Sequence, residues 1–333
     1  KNWVAFFEAL EAYKTAPSLF TGRPRLPKYK DKVKGRNLLI YDKQALGKRI
    51  FKKTGKLVPS GLPLEIATQM TDWDTIKQVR MIPRLDGYMV EVVYEQEETP
   101  ATGKSELVAA CDLGVNVLAA LTSNKPGFSP RLVSGKPIKS INQYYNKQRA
   151  NDQRHLSHEN RFTSRHLDRV TTKRNRRVES YLHMASRRII DLLVAEGIGT
   201  LVIGKNPLWK QEVNMGKRNN QQFVQLPHAR FMDQLSYKAR LVGITVMLQE
   251  ESYTSKASFL DGDSIPTYRP DRSEKPVFSG KRIARSWYQA SDGTVIHADI
   301  NGSYNILRKS NSDLLQLGRG VVGTAVSPRR LAV

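Results

Sequence analysis

The amino-acid sequence predicts an α/β protein in which a mixed sheet flanked by helices follows a small β-rich domain. Short apolar runs bounded by turn residues fill the first part of the chain, whereas long helical patterns alternate with strand patterns from residue 106 onward. In that second part the order is roughly three strands, then helix, strand, helix, strand and helix. This is the order of an RNase H-like fold, in which helices cover both faces of a mixed sheet.

The first predicted domain, residues 1–100, is β-rich with a helical lead-in. In the opening stretch KNWVAFFEALEAYK, Trp3, Phe6 and Leu10 recur at helical spacing. The stretch GYMVEVVYE alternates with the period of two that is typical of a strand. The chain has no initiator Met and begins inside the helical pattern, which predicts that it is part of a longer protein. The polar stretch QEETPATGKSE is the predicted linker.

The second predicted domain covers residues 106–333. Its strand patterns are LVAACDLGVNVLAALTS, GFSPRLVSG, GTLVIG and ITVMLQEES. A basic helical region spans 136–196, and further helices are predicted at ARFMDQLSYKARLVG and NGSYNILRKS. Residues 256–293 are an irregular insertion that contains no cysteine.

The charge balance points to a polyanionic partner. The chain has 54 Lys and Arg against 31 Asp and Glu, a formal net charge of +23. No apolar run is long enough to span a bilayer, so we expect no membrane partner and favour nucleic acid. Residues 131–188 alone carry 15 basic and 4 acidic side chains. Such a density of cations attracts phosphate from a distance, although a merely solvated basic surface is the alternative.

Two basic segments supply the candidate nucleic-acid contacts. One is the proline-containing stretch after the first helix, where extended backbone is expected. The other is the basic helical region together with its start. The candidates are Arg23, Arg25, Lys28, Lys30, Lys136, Lys139, Lys173, Arg174, Arg176 and Arg177.

Carboxylates stand at the ends of predicted elements in the second domain. Asp112 closes the first strand, Glu250 and Glu251 end a later strand, and Asp299 precedes the last helix. In the expected sheet these ends converge, and gathered carboxylates repel one another unless divalent cations lie between them. Hard oxygen ligands suit Mg²⁺ or Mn²⁺, and a two-metal centre would hydrolyse phosphodiesters. The alternative for each acid is a capping or solvent-facing carboxylate, and Asp299 in particular suits a helix cap.

Cys111 is the single cysteine of the chain. It excludes an intramolecular disulfide and a cysteine-based zinc site, and it fits a reducing compartment. We therefore expect no zinc.

Several motifs together resemble one protein family. The stretches CDLGVNVLAALTS, RLVSGKPIKSINQYYNKQ, EESYTSKASFLD and INGSYNIL are similar to those of the TnpB (OrfB-like) proteins of insertion sequences. These are RNA-guided DNA endonucleases with a RuvC-type nuclease domain, related to type V CRISPR effectors and Fanzor proteins. FFEALEAYKTAPSLFTGRPRLPKYK and KQVRMIPRLDGYMVEVVYE resemble their wedge domain.

The resemblance implies a role for each acidic residue. Asp112 matches the first RuvC aspartate and Asp299 the third-motif aspartate. The family's second-motif glutamate usually ends the strand that reads LVIGKN here, where this chain has Gly204. Some members instead carry a glutamate just before YTSK, which matches Glu251 best and Glu250 next. The three implied metal ligands are Asp112, Glu251 and Asp299.

The resemblance also implies partners and alternatives. A guide RNA and double-stranded target DNA are the expected partners, and a cytoplasmic, nucleoid-associated location follows. The family's zinc-ribbon cysteines are missing here, and so is the N-terminal start of its pattern. Two alternatives stay open: a nuclease-impaired relative that binds RNA and DNA without cutting, and an accessory transposase-type factor in DNA recombination.

Overall fold

The computed structural model describes residues 2–29, 31, 35–100, 106–206, 217–268, 276–310 and 327–333. The chain divides into two compact units, Lys1–Gln96 and Glu97–Val333. Residues 101–105 of the predicted linker lie outside the described part of the chain. Just before them, the hydroxyl of Thr99 donates a hydrogen bond of 2.8 Å to the carbonyl of Leu241.

Among its described residues, the first unit contains two α-helices and five short strands. The elements are α1 Asn2–Thr15, β1 Leu39–Asp42, α2 Lys48–Thr54, β2 Lys56–Leu57, β3 Ile66–Ala67, β4 Ile76–Arg84 and β5 Gly87–Tyr94. β1, β4 and β5 form an antiparallel sheet in that order, and β2 pairs antiparallel with β3. Its core includes Phe51, whose ring centroid lies 5.4 Å from that of Trp73.

The second unit contains a large sheet and the longer helices. Its helices are α3 Lys136–His158, α4 Arg165–Ala195, α5 Lys217–Val224, α6 His228–Arg240 and α7 Ala298–Ser310. Its strands are β6 Val108–Leu113, β7 Val117–Ser123, β8 Arg131–Ser134, β9 Thr200–Gly204, β10 Thr245–Gln249, β11 Lys281–Ala284, β12 Trp287–Gln289, β13 Val295–His297 and β14 Arg329–Leu331.

The main sheet has six strands in the order β10-β9-β6-β7-β8-β14. β6 pairs antiparallel with β7 and parallel with β9, β7 pairs antiparallel with β8, and β9 pairs parallel with β10. The sheet is therefore mixed, as the sequence predicts. β6 lies inside the sheet, with β9 on one side and β7 on the other.

Helices cover both faces of this sheet. Ala109, Cys111 and Leu113 of β6 belong to a core cluster that includes buried residues of α4 and α6. Ala110 belongs to a second cluster, which includes residues of α7 and of the insertion. Because side chains alternate along a strand, Asp112 shares the face of Ala110. The carboxylate of the central strand is therefore directed toward α7.

Some element boundaries differ from the sequence prediction. The basic helical region is two helices rather than one, because the chain turns at Asn160, which has a positive φ of 50°. β10 ends at Gln249, so Glu250 and Glu251 follow the strand instead of ending it. α7 begins at Ala298, which places Asp299 in its first turn rather than before it.

Carboxylate–serine hydrogen bonds hold the cysteine-free insertion. The hydroxyl of Ser291 donates to Oδ1 of Asp261 at 2.5 Å, and its N–H donates to Oδ2 at 3.0 Å. The hydroxyl of Ser279 donates to Oδ1 of Asp263 at 2.5 Å, and the N–H of Ser258 donates to Oδ2 at 2.7 Å. Each carboxylate thus joins segments that are distant along the chain.

We expect Asp261→Ala to lower the free energy of unfolding by about 1–3 kcal/mol, because the N–H and hydroxyl of Ser291 lose their acceptors. Asp292→Ala is the control, since Asp292 accepts the N–H of Thr294 only two residues away. Urea unfolding of both variants measures the difference. Equal stabilities would contradict a clamping role for Asp261.

Candidate active site

Asp112 lies on the central strand of the main sheet, against the first turns of α7. It pairs in register with Ala120 of β7 and is half-buried. A Cβ added at Gly302 would lie 2.7 Å from Oδ2 of Asp112. Real Cβ atoms do not approach an oxygen so closely, so the carboxylate occupies space that only glycine leaves free. Gly302 therefore leaves room for the carboxylate of Asp112.

Glu251 is positioned from two neighbouring parallel strands. Its N–H donates to Oδ1 of Asn206, just beyond β9, at 3.2 Å, and the amide nitrogen of Asn206 lies 3.5 Å from Oε1 of Glu251. A Cβ added at Gly204 would collide with Oε2 of Glu251. Tyr253, two residues on, has a φ of 66°, a left-handed conformation that few non-glycine residues adopt. The chain thus turns sharply to bring this carboxylate over the end of β9.

Glu250 has a different environment. Its Oε2 accepts a hydrogen bond from the ammonium of Lys309 on α7, and its Oε1 accepts the N–H of Ser252 at 2.7 Å. Burial raises the pKa of Glu250, but the bonds from Lys309 and Ser252 outweigh it and hold the pKa below its ordinary value. Glu250 is therefore an ionised, paired carboxylate.

Asp299 lies in the first turn of α7, where the helix dipole favours a negative charge. Its Oδ1 is 3.8 Å from a guanidinium nitrogen of Arg282, and its N–H donates to Nδ1 of His297 at 3.3 Å. Burial raises its pKa, while His297, Arg282 and Arg285 oppose the rise.

Asp112, Glu251 and Asp299 are electrostatically coupled. Burial, and then the charges of Glu251 and Asp299, raise the pKa of Asp112 well above its ordinary range. Burial and then the charge of Glu250 raise the pKa of Glu251 to about 7. The charges of Glu251 and Asp299 thus disfavour the ionised form of Asp112.

One buried oxygen of this cluster, Oε2 of Glu251, lacks a hydrogen-bond partner among the described residues. Within that same part of the chain, no group of three or more His, Cys, Asp or Glu side chains is placed so that it could already hold a metal ion. The carboxylates are nevertheless hard oxygen donors, the donor type that Mg²⁺ and Mn²⁺ prefer.

The candidate nucleic-acid contacts differ in how exposed they are. Arg23, Arg25 and Lys28 of the first unit, and Lys136, Lys173, Arg176 and Arg177 of the second, are exposed. Lys139 is half-buried, and its ammonium donates to Oδ1 of Asn116 at 3.3 Å. Lys30 lies outside the described residues. The exposed members leave their charges accessible to a polyanion.

Arg174 differs from its exposed neighbours because it links elements within the second unit. Its guanidinium donates to Oδ1 of Asn142 on α3 at 2.8 Å and to the carbonyl of Gln225 at 2.9 Å, and it lies over the ring of Tyr145. Burial lowers its pKa. These contacts indicate that Arg174 fixes the packing of α3 against α4.

Sequence reasoning missed Gly302, Asn206 and Arg282 as parts of this site. Gly302 had a local signal, since a glycine inside a helix costs stability and therefore needs a reason. Asn206 and Arg282 had none, because their relation to the carboxylates is created only when distant segments pack together.

Two family models match this chain. A model described as "Probable transposase" (OrfB_IS605) matches residues 91–209, and one described as "Cas12f1-like, TNB domain" matches residues 228–306. Together the two matches cover more than half of the chain and include all four acids. Over residues 91–209 the chain is similar to the TnpB-like OrfB_IS605 proteins. The sequence resemblance to that family is thereby confirmed.

Three solved structures that match this chain are distant from it in sequence. A Cas12f1–sgRNA–target DNA complex is 15% identical, with a TM-score of 0.45 over 70% of this chain and 46% of that one. A CRISPR-Cas12f ternary complex is 15% identical, with a TM-score of 0.43 over 69% of this chain and 45% of that one. C2c1 of Alicyclobacillus acidoterrestris with single-guide RNA is 15% identical, with a TM-score of 0.35 over 53% and 20%.

The chain thus spans less than half the length of these three proteins. No curated protein matches it closely enough to count as a relative. No helix in the described part of the chain is long and apolar enough to cross a bilayer.

Proposed function

We propose that this TnpB-like chain carries the nuclease centre of an RNA-guided DNA endonuclease. The observation that carries the proposal is the convergence of Asp112, Glu251 and Asp299, from three elements, on one electrostatically coupled cluster. The fold has no structural need for acids that raise the pKa of Asp112, or for a buried oxygen of Glu251 that lacks a hydrogen-bond partner among the described residues. Binding of a divalent cation explains both features.

The proposed fold of the second unit is RNase H-like, of the RuvC type. Its strand order β8-β7-β6-β9-β10, with the first three strands antiparallel and the last two parallel to the central one, supports this assignment. The first unit, with its three-stranded antiparallel sheet, is the proposed wedge-like domain.

Asp112, Glu251 and Asp299 are the residues that would hold Mg²⁺ or Mn²⁺. When bound, the metal ions would supply Lewis-acid stabilisation of the attacking and leaving oxygens of a phosphodiester. Gly302 and Gly204 leave room for the carboxylates of Asp112 and Glu251. Asn206 orients Glu251 through its backbone N–H. The protein's own contribution is thus a set of negative charges fixed before the substrate arrives.

Guide RNA and double-stranded target DNA are the proposed partners, with sequence chosen by base pairing and the backbone held by Lys and Arg. The exposed cations Arg23, Arg25 and Lys28, and those on α3 and α4, would make the backbone contacts. Acting on chromosomal DNA would place the protein at the nucleoid.

The test begins with the RNA that co-purifies with the protein. We expect one defined RNA species, and we expect a plasmid that matches its guide segment to be cut in Mg²⁺ but not in EDTA. A plasmid with a scrambled target is the matched control. Cleavage that is equal in EDTA, or independent of the guide match, would contradict the proposal. Joined strand-transfer products in place of free ends would favour an accessory transposase-type factor.

A further inference from the structure

The loop that joins β6 to β7 begins two residues after Asp112. It comprises residues 114–116, and the N–H of Gly114 donates to the carbonyl of Leu118 on β7 at 3.3 Å. Peptide units are rigid and consecutive Cα atoms lie about 3.8 Å apart, so a shift of this loop is carried into the last residues of β6. The position of the Asp112 carboxylate therefore depends on what holds residues 114–116.

The start of α3 holds one side of this loop. The carbonyl of Asn116 accepts the N–H of Gly135 at 2.8 Å, and Oδ1 of Asn116 accepts a hydrogen bond from the ammonium of Lys139 at 3.3 Å. A Cβ added at Gly135 would collide with the carbonyl oxygen of Val115, so the two backbones are in direct contact. Lys139 is half-buried, unlike Lys136 one turn earlier, which is exposed. The ammonium of Lys139 is therefore directed at the loop.

His228, the first residue of α6, holds the other side of the loop. Its side chain is fully buried, and Nε2 lies 3.2 Å from the carbonyl oxygen of Gly114. A carbonyl oxygen only accepts, so Nε2 carries the proton and donates this hydrogen bond. The ring also packs on Phe223 of α5, with the two ring centroids 5.4 Å apart. Burial of an imidazole costs free energy unless it is hydrogen-bonded, so the bond to Gly114 is a reason for a histidine at this position.

We infer that His228 and Lys139 are positioning residues for Asp112, because they fix from α6 and α3 the loop that follows it. The inference rests on the proposed nuclease function and deepens it, since a metal-binding carboxylate has to be held to within about 0.5 Å. Both residues act through residues 114–116. Side chains that orient a metal ligand in this indirect way typically contribute about 10- to 100-fold to metal affinity or activity.

The first test separates the hydrogen bond of His228 from the packing of its ring. His228→Phe keeps a ring against Phe223 and removes the donor, whereas His228→Gln keeps a donor and removes the ring. In single-turnover cleavage of guide-matched DNA, we expect His228→Phe to lower the rate by about 10-fold or more and to raise the Mg²⁺ concentration that gives half the maximal rate. His228→Gln should be the less impaired variant. An equal or larger loss in His228→Gln would overturn the assignment.

A second pair of variants compares two lysines of α3. Lys139→Met and Lys136→Met remove the same charge, but Lys136 is exposed, whereas Lys139 bonds to the loop. We expect Lys139→Met to lower the cleavage rate by a larger factor than the affinity for guide RNA. Lys136→Met should do the reverse, since exposed cations contribute to phosphate binding. The same ratio of the two losses in both variants would make Lys139 a phosphate contact and overturn its assignment.

The third test needs neither cleavage nor metal. Amide hydrogen exchange in EDTA, measured by mass spectrometry, reports the opening of residues 112–118. We expect His228→Phe and Lys139→Met to speed exchange in this segment, and His228→Gln to speed it less than His228→Phe. Exchange in α4 is the control, and an unchanged rate there shows that the second unit is folded. Unchanged exchange at residues 112–118 in both His228→Phe and Lys139→Met would overturn the assignment.

The two proposals fail separately. If exchange at residues 112–118 speeds up as expected but the unmodified chain never cuts guide-matched DNA in Mg²⁺, the nuclease function is wrong and the support of this loop by His228 and Lys139 stands. If the chain cuts and His228→Phe cuts at an unchanged rate, the nuclease function stands and the positioning role is wrong.

Discussion

Asp112→Asn and Asp299→Asn should each lower Mg²⁺-dependent cleavage of guide-matched DNA by about 10³-fold or more, because the loss of a metal ligand removes several kcal/mol of transition-state stabilisation. Binding of the guide RNA should change little, since neither side chain is part of the exposed basic surface. Single-turnover cleavage and a filter-binding assay of the RNA measure the two effects. The amide is nearly isosteric with the carboxylate, so packing against Gly302 is retained.

Thermal unfolding in EDTA provides the control for this prediction. In the metal-free protein, burial and the neighbouring acids raise the pKa of Asp112, so its ionised form costs stability as the pH rises above the ordinary range of a carboxyl. Asp112→Asn removes that cost, and we expect an equal or higher Tm at pH 8. A clearly lower Tm together with lost RNA binding would show that Asp112 supports the fold instead.

Parts of this site could be predicted from local sequence. The apolar run before Asp112 predicts a buried strand, with ends correct to within a few residues. A carboxylate near the end of such a strand is easily noticed in the sequence. The buried face of α4 follows in the same way from helical spacing: Val178, Leu182, Ala185 and Ile189 are all buried. Signals of this kind lie within one element, so a sequence pattern is sufficient to reveal them.

Other parts depend on contacts that no local pattern encodes. Asn206 and Glu251 are 45 residues apart and meet only because β9 and β10 pair in parallel. The start of α7 at Ala298 was missed for a related reason, since Gly302 looks like a helix breaker until its contact with Asp112 is known. The helix α2 in the first unit is only seven residues long and has one buried side chain, Phe51, which is too little for a periodic pattern.

Gly204 and Glu251 are in contact, although the family's glutamate is expected at the position of Gly204. The resemblance to the TnpB family implies a glutamate where this chain has Gly204. In the structure, the space that a side chain at Gly204 would enter is filled by Oε2 of Glu251 and by the end of Ile306. A carboxylate therefore reaches the same location from the neighbouring strand. We propose on this ground that Glu251, rather than Glu250, is the third ligand.

Glu251→Gln should consequently lower the cleavage rate by about 10³-fold or more, whereas Glu250→Gln should lower it by about 10-fold or less. Glu250 and Glu251 are adjacent in the chain, but their carboxylates lie in different surroundings. Glu250 is paired with Lys309, so its loss disturbs α7 locally, whereas Oε2 of Glu251 has no hydrogen-bond partner among the described residues and is free to bind the proposed cation. Loss of activity in Glu250→Gln alone would reverse the assignment.

An exchange of the two positions gives the sharpest form of this prediction. Gly204→Glu alone should inactivate the protein, because its Cβ would collide with Glu251. Combined with Glu251→Ala, which empties that space, the same substitution should restore cleavage about 10-fold over Glu251→Ala, since a new oxygen ligand is worth at least about 1.4 kcal/mol. The φ of Gly204 lies outside the left-handed region that favours glycine, and the nearest atom of Ile306 to the new Cβ is its terminal Cδ1, at 2.5 Å. Activity of the double variant no higher than that of Glu251→Ala would mean that the two positions do not share one ligand site.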